Sequence, residues 1–143
     1  ESQPGGDVDR VMTYPHTAIA SDGSVFEFGV GNPHPRSYGC YPRVLGHYVR
    51  KRRVLKLENA VRKMTALPAR RLGWHDRGRL AVGAIADVTV FDPNTVTDKA
   101  TFLKPHQHSV GITHVLVDGQ FVLRNGKMTG RLPGRPVGLR NKP

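Results

Sequence analysis

The sequence predicts an α/β chain whose first half is mainly helical and whose second half is mainly β. In residues 57–67, apolar side chains recur at the three- and four-residue spacing that places them on one helix face. Residues 85–91 are instead rich in β-branched side chains, which is typical of a strand. Residues 112–124 contain two apolar runs on either side of Asp118-Gly119, the pattern of a hairpin with a two-residue turn.

The segment before the helices contains a short apolar run, residues 17–20, that ends at Ser21-Asp22-Gly23. This pattern predicts a buried strand with Asp22 at its carboxyl end. Residues 1–9 and the Gly/Pro-rich residues 29–39 are predicted to be loops without regular structure.

Two further helical segments are predicted around the clearest helix. Residues 43–53 place apolar side chains on one stripe and basic side chains opposite. After residue 67, Pro68 suits the first turn of a short helix, and Gly73 suits its C-terminal cap. Beyond the predicted hairpin, Asn125-Gly126 predicts another tight turn, and residues 130–143 form a Gly/Pro/Arg tail.

Length and cysteine content restrict the possible folds. The chain has 143 residues, whereas a complete eight-stranded α/β barrel needs about 200 or more. The single cysteine, Cys40, excludes an internal disulfide framework and favours a reducing compartment, so we expect a cytoplasmic protein. Because Glu1 stands where translation would place Met, we expect a cut or processed end there.

The chain is strongly basic, with a formal net charge of +11. This charge is evenly spread, since 12 basic residues face 6 acidic ones through Gly73, and 10 face 5 beyond it. Only residues 50–53 form a tight basic cluster, and no aromatic residues interleave there for base stacking. We therefore expect a solvated helix end or a contact with an acidic partner, and nucleic acid is the less favoured partner.

Asp22 is the sharpest candidate for chemistry. Carboxylates at the carboxyl ends of strands are where α/β barrels place catalytic groups, and such a carboxylate can bind a metal and accept a proton from water. The alternative is an ordinary Asp that begins a turn before Gly23.

His34 and Arg36 lie in the Gly/Pro loop, where the forked Arg donors could hold a substrate carboxylate. They could equally be polar residues of a surface loop. His106-Gln107-His108 has the spacing of a zinc-binding pair, but we expect a solvent-facing loop pair because no Cys or Asp cluster accompanies it.

Several stretches together resemble the C-terminal part of a D-aminoacylase, that is, an N-acyl-D-amino-acid deacylase of the amidohydrolase superfamily. The resemblance runs nearly from end to end. Ser21-Asp22-Gly23 and His34-Pro35-Arg36 point to this branch, whereas residues 83–92 mark the small β-domain of the wider superfamily. The matching stretches are residues 18–23, 34–39, 41–46, 58–65, 68–70, 78–80, 83–92, 115–119 and 129–131.

This resemblance implies the last strand and outer helices of a metal-dependent (β/α)₈ barrel in residues 1–73, followed by the C-terminal strands of a small β-sandwich domain in residues 74–143. Asp22 would touch a zinc ion and act as the general acid and base of amide hydrolysis, while His34 and Arg36 would lie near the substrate. The other zinc ligands of such enzymes belong to an upstream half, so we expect an N-terminal chain of the same enzyme as the partner and no activity of this chain alone.

Two alternatives remain open from sequence. One is an amidohydrolase that acts on a cyclic amide or on an acylated acidic D-amino acid. The other is a non-catalytic, basic, β-rich binding or regulatory subunit, whose partner binding would weaken with salt.

Overall fold

A computed structural model describes residues 6–138. The helices lie in the first half of this range and the strands in the second, as the sequence patterns predicted. The division into two domains at residues 73 and 74 stays a prediction. The elements are α1 (Gly6–Thr13), α2 (Arg36–Arg43), a π-helix (Val44–Lys51), α3 (Leu57–Met64), α4 (Ala66–Arg71), β1 (Val88–Phe91), β2 (Ile112–Val117), β3 (Gln120–Arg124) and β4 (Lys127–Met128).

Helix α1 occupies residues that were expected to be a loop through Asp9, so that expectation is wrong from Gly6 onward. Residues 1–5 lie outside the described part. Two acidic residues fall in its first turn, where negative charge is favoured by the helix dipole. Met12 is buried, and both carboxylate oxygens of Asp9 accept hydrogen bonds from Arg52, at 2.9 and 2.6 Å. These tertiary contacts stabilise a helix that the local sequence pattern does not predict.

The predicted strand at residues 17–20 makes no β-ladder with any of the described residues. A strand needs a neighbouring strand to satisfy its backbone groups, and none lies beside this segment within residues 6–138. Instead, the Ile19 N–H donates to the Lys63 carbonyl oxygen at 3.0 Å. The barrel implied by the resemblance is therefore not seen within the described chain.

Helix α2 begins at Arg36 and continues directly into the π-helix, so the loop expected over residues 29–39 ends at Pro35. The helix predicted over residues 43–53 is confirmed, with Val44 and Leu45 buried. Gly46 lies against the loop after β1, where a Cβ atom would stand 2.7 Å from the Val96 carbonyl oxygen. Close backbone approach therefore requires glycine at this position.

The predicted helix at residues 57–67 is present but divides at Thr65, whose φ of −131° and ψ of −83° are not helical. Pro68 lies in the first turn of α4, as expected. The core of the helical half contains Met12, Val44, Leu55 and Ala60.

The strands form one antiparallel sheet in the order β1-β2-β3-β4. The predicted hairpin is confirmed, because Asp118 and Gly119 take φ values of 50° and 76°, as the favoured two-residue hairpin turn requires. The Asn125-Gly126 turn before β4 has the same signs. Strand β1 starts three residues later than predicted, since the Ile85 N–H bonds to the Asp76 carbonyl oxygen instead. A second sheet that would complete a sandwich is absent from residues 6–138.

Of the helices between residues 6 and 138, none is long and apolar enough to cross a membrane.

Candidate functional site

The candidate site lies where residues 21–24 pack on the first turn of α2. The Gly23 N–H donates to the Ser21 hydroxyl at 3.0 Å, and the Ser24 N–H donates to the Ser37 hydroxyl at 3.3 Å. A Cβ atom on Gly23 would lie 2.9 Å from the Ser37 Cα atom. Glycine is needed here because the two backbone segments approach so closely.

Asp22 and Arg36, both predicted from sequence, form an ion pair in this turn. Arg36 Nη2 lies 2.7 Å from Asp22 Oδ2, and Arg36 Nε donates to the Asp22 carbonyl oxygen at 3.0 Å. The Asp22 side chain is 88% exposed and the Arg36 side chain 44%. Exposed pairs of this kind contribute only about 0–1 kcal/mol to stability. The contact therefore orients the two groups and leaves the carboxylate open to solvent.

His34 joins the site through the backbone of Arg36. Its Nδ1 atom accepts the Arg36 N–H at 3.0 Å, which satisfies one of the unpaired donors at the start of α2. Its ring meets the edge of Phe102 at a centroid distance of 5.0 Å. The imidazole is thus held in one orientation beside the Asp22–Arg36 pair.

Three further residues of α2 that were not predicted as site residues also touch this turn. Besides Ser37, the Tyr41 hydroxyl accepts the Ser21 N–H at 3.3 Å, and the Cys40 thiol donates to the Ala20 carbonyl oxygen at 3.7 Å. Ser37 and Tyr41 are four residues apart, a spacing that places both on one helix face. The spacing in the sequence predicts that Ser37 and Tyr41 share a helix face. It does not predict that residues 21–24 pack against that face.

A buried lysine fixes the segment that leads into the site. Lys63 is fully buried, and its ammonium group donates to the carbonyl oxygens of Tyr14 and Thr17, the latter at 3.0 Å. Burial, and secondarily the charge of Arg62, lowers the pKa of Lys63 below its ordinary value. Together with the Ile19–Lys63 backbone bond, this ties residues 14–19 to α3.

The two histidines of His106-Gln107-His108 were expected to face solvent from a loop. His108 is exposed, but His106 is half-buried and makes three hydrogen bonds, so the expectation is wrong for His106. Neither histidine belongs to a metal-binding group within the described chain.

The His, Cys, Asp and Glu side chains of residues 6–138 do not form a zinc site by themselves. Nowhere in residues 6–138 do three His, Cys, Asp or Glu side chains converge. Asp22 offers one exposed carboxylate, a ligand type that zinc accepts, but a site of four ligands is not formed within this range. Asp22 therefore suits the role of a single ligand and no more.

The basic cluster at residues 50–53 is largely used inside the fold. Arg50 donates to the carbonyl oxygens of Pro93 and Val96, and Arg52 forms the bidentate pair with Asp9. Two of the four cationic groups thus stabilise tertiary contacts, which leaves less charge for an external partner.

The sequence pattern of the amidohydrolase family matches residues 8–123. The chain therefore belongs to the amidohydrolase family, and the resemblance inferred from its motifs is confirmed.

Its relatives point to one branch of this family. N-acyl-D-glutamate deacylase of Alcaligenes xylosoxydans xylosoxydans is 50% identical over 129 residues, which cover 90% of this chain and 26% of that enzyme. A crystal structure of D-aminoacylase matches with a TM-score of 0.81 and 44% identity, over 87% of this chain and 26% of that one. N-acyl-D-glutamate deacylase from Bordetella bronchiseptica, in complex with zinc and a phosphonate mimic of the tetrahedral intermediate, matches with a TM-score of 0.74 and 44% identity, over 94% and 26%. This chain spans about a quarter of the length of these relatives.

Proposed function

We propose that this chain is the C-terminal part of a zinc-dependent amidohydrolase that hydrolyses the amide bond of N-acyl-D-amino acids. The Asp22–Arg36 pair carries the proposal, because it places an exposed carboxylate beside a forked cation in a chain of this family. The relatives named above, which act on N-acyl-D-amino acids or bind zinc, support the substrate class and the metal.

Asp22 is assigned the role of general base and then general acid. Its carboxylate accepts a proton from the water that attacks the amide carbonyl carbon. The same proton passes to the amine nitrogen as the C–N bond breaks, which returns Asp22 to its ionised state. A bound zinc ion, with Asp22 as one ligand, would polarise the amide carbonyl and stabilise negative charge on its oxygen.

Arg36 is assigned to the substrate carboxylate. Its planar guanidinium can pair with two carboxylate oxygens at once, and its present partner is the carboxylate of Asp22. In an N-acyl amino acid the carboxylate and the amide nitrogen are attached to the same carbon. A substrate held by Arg36 would therefore present its amide bond close to Asp22. His34, fixed beside them, is proposed to line the same substrate site.

We infer that an N-terminal chain or segment of the same enzyme completes the site and that residues 1–73 and 74–143 join its barrel and its β-sandwich. Large apolar side chains are left on the surface of α1 and of the loop after Asp22, and covering them would be favourable. The exposed side chains are Val8, Val11, Val25, Phe26, Phe28 and Val30. A cytoplasmic location is proposed from the single cysteine. A purely binding or regulatory role has less support, since Arg50 and Arg52 are engaged internally.

The test replaces Asp22 by Asn in the complete protein that carries this chain. We expect kcat on an N-acetyl-D-amino acid to fall by about 10²–10⁴-fold, the usual contribution of a general acid–base group. Native mass spectrometry is expected to show the same assembly as in the unsubstituted protein, and metal analysis reports whether zinc is retained. Ser24→Ala serves as the control, because Ser24 uses only its backbone N–H in this turn. Full activity of Asp22→Asn would overturn the assigned role.

A further inference from the structure

Residues 24–35, named here the site loop, connect Asp22 with Arg36. The loop is tied near each end, by the Ser24–Ser37 bond and by the bond from Arg36 to His34. Between these ends residues 25–32 are all exposed, so the middle of the loop needs a separate anchor to take one conformation.

His106 supplies this anchor from the far half of the chain. Its Nδ1 atom lies 3.1 Å from the Gly29 nitrogen and 2.9 Å from the Tyr38 hydroxyl oxygen. Its Nε2 atom lies 3.0 Å from the Gly31 carbonyl oxygen. One imidazole thus bonds to two backbone groups in the middle of the site loop and to a side chain of α2.

These partners define which ring nitrogen carries the hydrogen. The Gly31 carbonyl can only accept, so Nε2 donates, and the Gly29 N–H can only donate, so Nδ1 accepts. The Tyr38 hydroxyl then donates to Nδ1 as well. The neutral Nε2–H tautomer fits these partners, with the Gly29 N–H and the Tyr38 hydroxyl sharing the one lone pair of Nδ1.

Aromatic packing surrounds the same histidine. The Phe28 ring, on the site loop, stacks on His108 at a centroid distance of 4.8 Å and meets the edges of His106 and Tyr38 at 5.6 and 6.1 Å. The Ser109 hydroxyl donates to the Tyr38 carbonyl oxygen at 2.9 Å. Residues 106–109 therefore contact both the site loop and the first turns of α2, but only His106 among them hydrogen-bonds to the loop backbone in the described structure.

We propose that His106 is a positioning residue that holds the site loop and the start of α2 together, so that Arg36 stays within reach of Asp22. The inference deepens the proposed function and rests on it for its catalytic consequence. His106 touches neither Asp22 nor Arg36 and acts through Gly29, Gly31 and Tyr38.

The experiment compares His106→Ala, His106→Asn and His108→Ala in the complete protein. An Asn amide oxygen can stand near the position of Nδ1 and accept from Gly29 and Tyr38, so this variant retains part of the anchor. His108→Ala removes a ring that stacks on Phe28 but leaves the three hydrogen bonds of His106 in place. Amide hydrogen exchange of residues 24–35 and the separate values of kcat and KM are measured for each variant.

We expect His106→Ala to speed exchange in the site loop by about 30-fold, because two hydrogen bonds to the loop backbone are lost and each is worth about fivefold. Exchange in the β2–β3 hairpin should stay unchanged. KM for the N-acyl-D-amino acid should rise about tenfold, with a smaller change in kcat, since Arg36 is assigned to the substrate carboxylate. His106→Asn should recover most of both effects, and His108→Ala should change each by less than about threefold.

Two results would overturn the proposal. One is unchanged exchange in residues 24–35 of His106→Ala, and the other is equal effects of His106→Ala and His108→Ala. If the unsubstituted protein hydrolyses no N-acyl-D-amino acid, the proposed function fails, while the exchange measurement still decides whether His106 anchors the loop.

Discussion

Replacement of Lys63 by Met tests how the segment leading to Asp22 is held. The substitution keeps a long unbranched side chain in the fully buried position and removes the ammonium group with its hydrogen bonds to Tyr14 and Thr17. Hydrogen bonds from charged groups contribute about 1.5–3 kcal/mol each. The ammonium also had to leave water on folding, a cost that the variant avoids.

The lost hydrogen bonds destabilise the variant, and the avoided desolvation of the ammonium group stabilises it. We expect the lost bonds to dominate, because two carbonyl oxygens lose a charged donor, and the free energy of unfolding to fall by about 2 kcal/mol. Exchange of the Ile19 amide should rise by more than tenfold, because about 1.4 kcal/mol corresponds to a factor of ten. The assay is amide hydrogen exchange on the complete protein, read at Ile19 and at the β2–β3 hairpin.

The matched control is Lys56→Met, because Lys56 is exposed at the start of α3 and the chemical change is the same. The control should leave exchange at Ile19 within about twofold of the unsubstituted protein, as surface substitutions usually change stability by less than 0.5 kcal/mol. Equal exchange at Ile19 in the two variants would refute the role given to Lys63.

Two further predictions concern the π-helix. Gly46→Ala should lower the free energy of unfolding by about 1–3 kcal/mol, because its Cβ would lie 2.7 Å from the Val96 carbonyl oxygen. Gly134→Ala is the control, since Gly134 has open space around it. Equal melting temperatures of the two variants would contradict the close packing assigned to Gly46. Burial, followed by the charges of Arg43 and Arg52, lowers the pKa of His47 from its ordinary value of 6.5. The unfolded chain therefore binds a proton at this histidine more readily than the folded chain does. Stability consequently falls as the pH drops below about 6.5. The melting temperature should therefore decline less between pH 7.5 and 5.5 in His47→Gln than in the unsubstituted protein, and parallel declines would exclude this origin of the pH dependence.

The parts of the fold that sequence predicts correctly are those determined by local chemistry. Asp118-Gly119 takes the positive φ values that a tight hairpin turn demands, so the strands around it follow from a few adjacent residues. The helix over residues 43–53 is likewise predicted by the apolar side chains along one of its faces.

The errors fall where distant residues decide the conformation. Helix α1 is stabilised by Asp9 pairing with Arg52, a contact that no local pattern reveals. The apolar run at residues 17–20 has strand composition, but a strand exists only with a neighbour, and this segment bonds to α3 instead.

The candidate site shows the same division. Asp22, His34 and Arg36 were predicted from residue type and motif, and the structure brings them to one turn at the start of α2. The sequence predicts a solvent-facing loop at His106 because no Cys or Asp cluster accompanies it. Its actual partners, Gly29, Gly31 and Tyr38, lie in the other half of the chain. Only the tertiary fold places them around one imidazole.

The stereochemistry of hydrolysis gives the most direct test of the proposed N-acyl-D-amino-acid amidohydrolase. The complete protein, supplied with zinc, is assayed for release of free amino acid from the D and L forms of N-acetylglutamate and N-acetylleucine. We expect zinc-dependent release from at least one D form and none from either L form. Hydrolysis of the L forms at comparable rates, or no hydrolysis by a zinc-loaded and folded protein, would contradict this expectation.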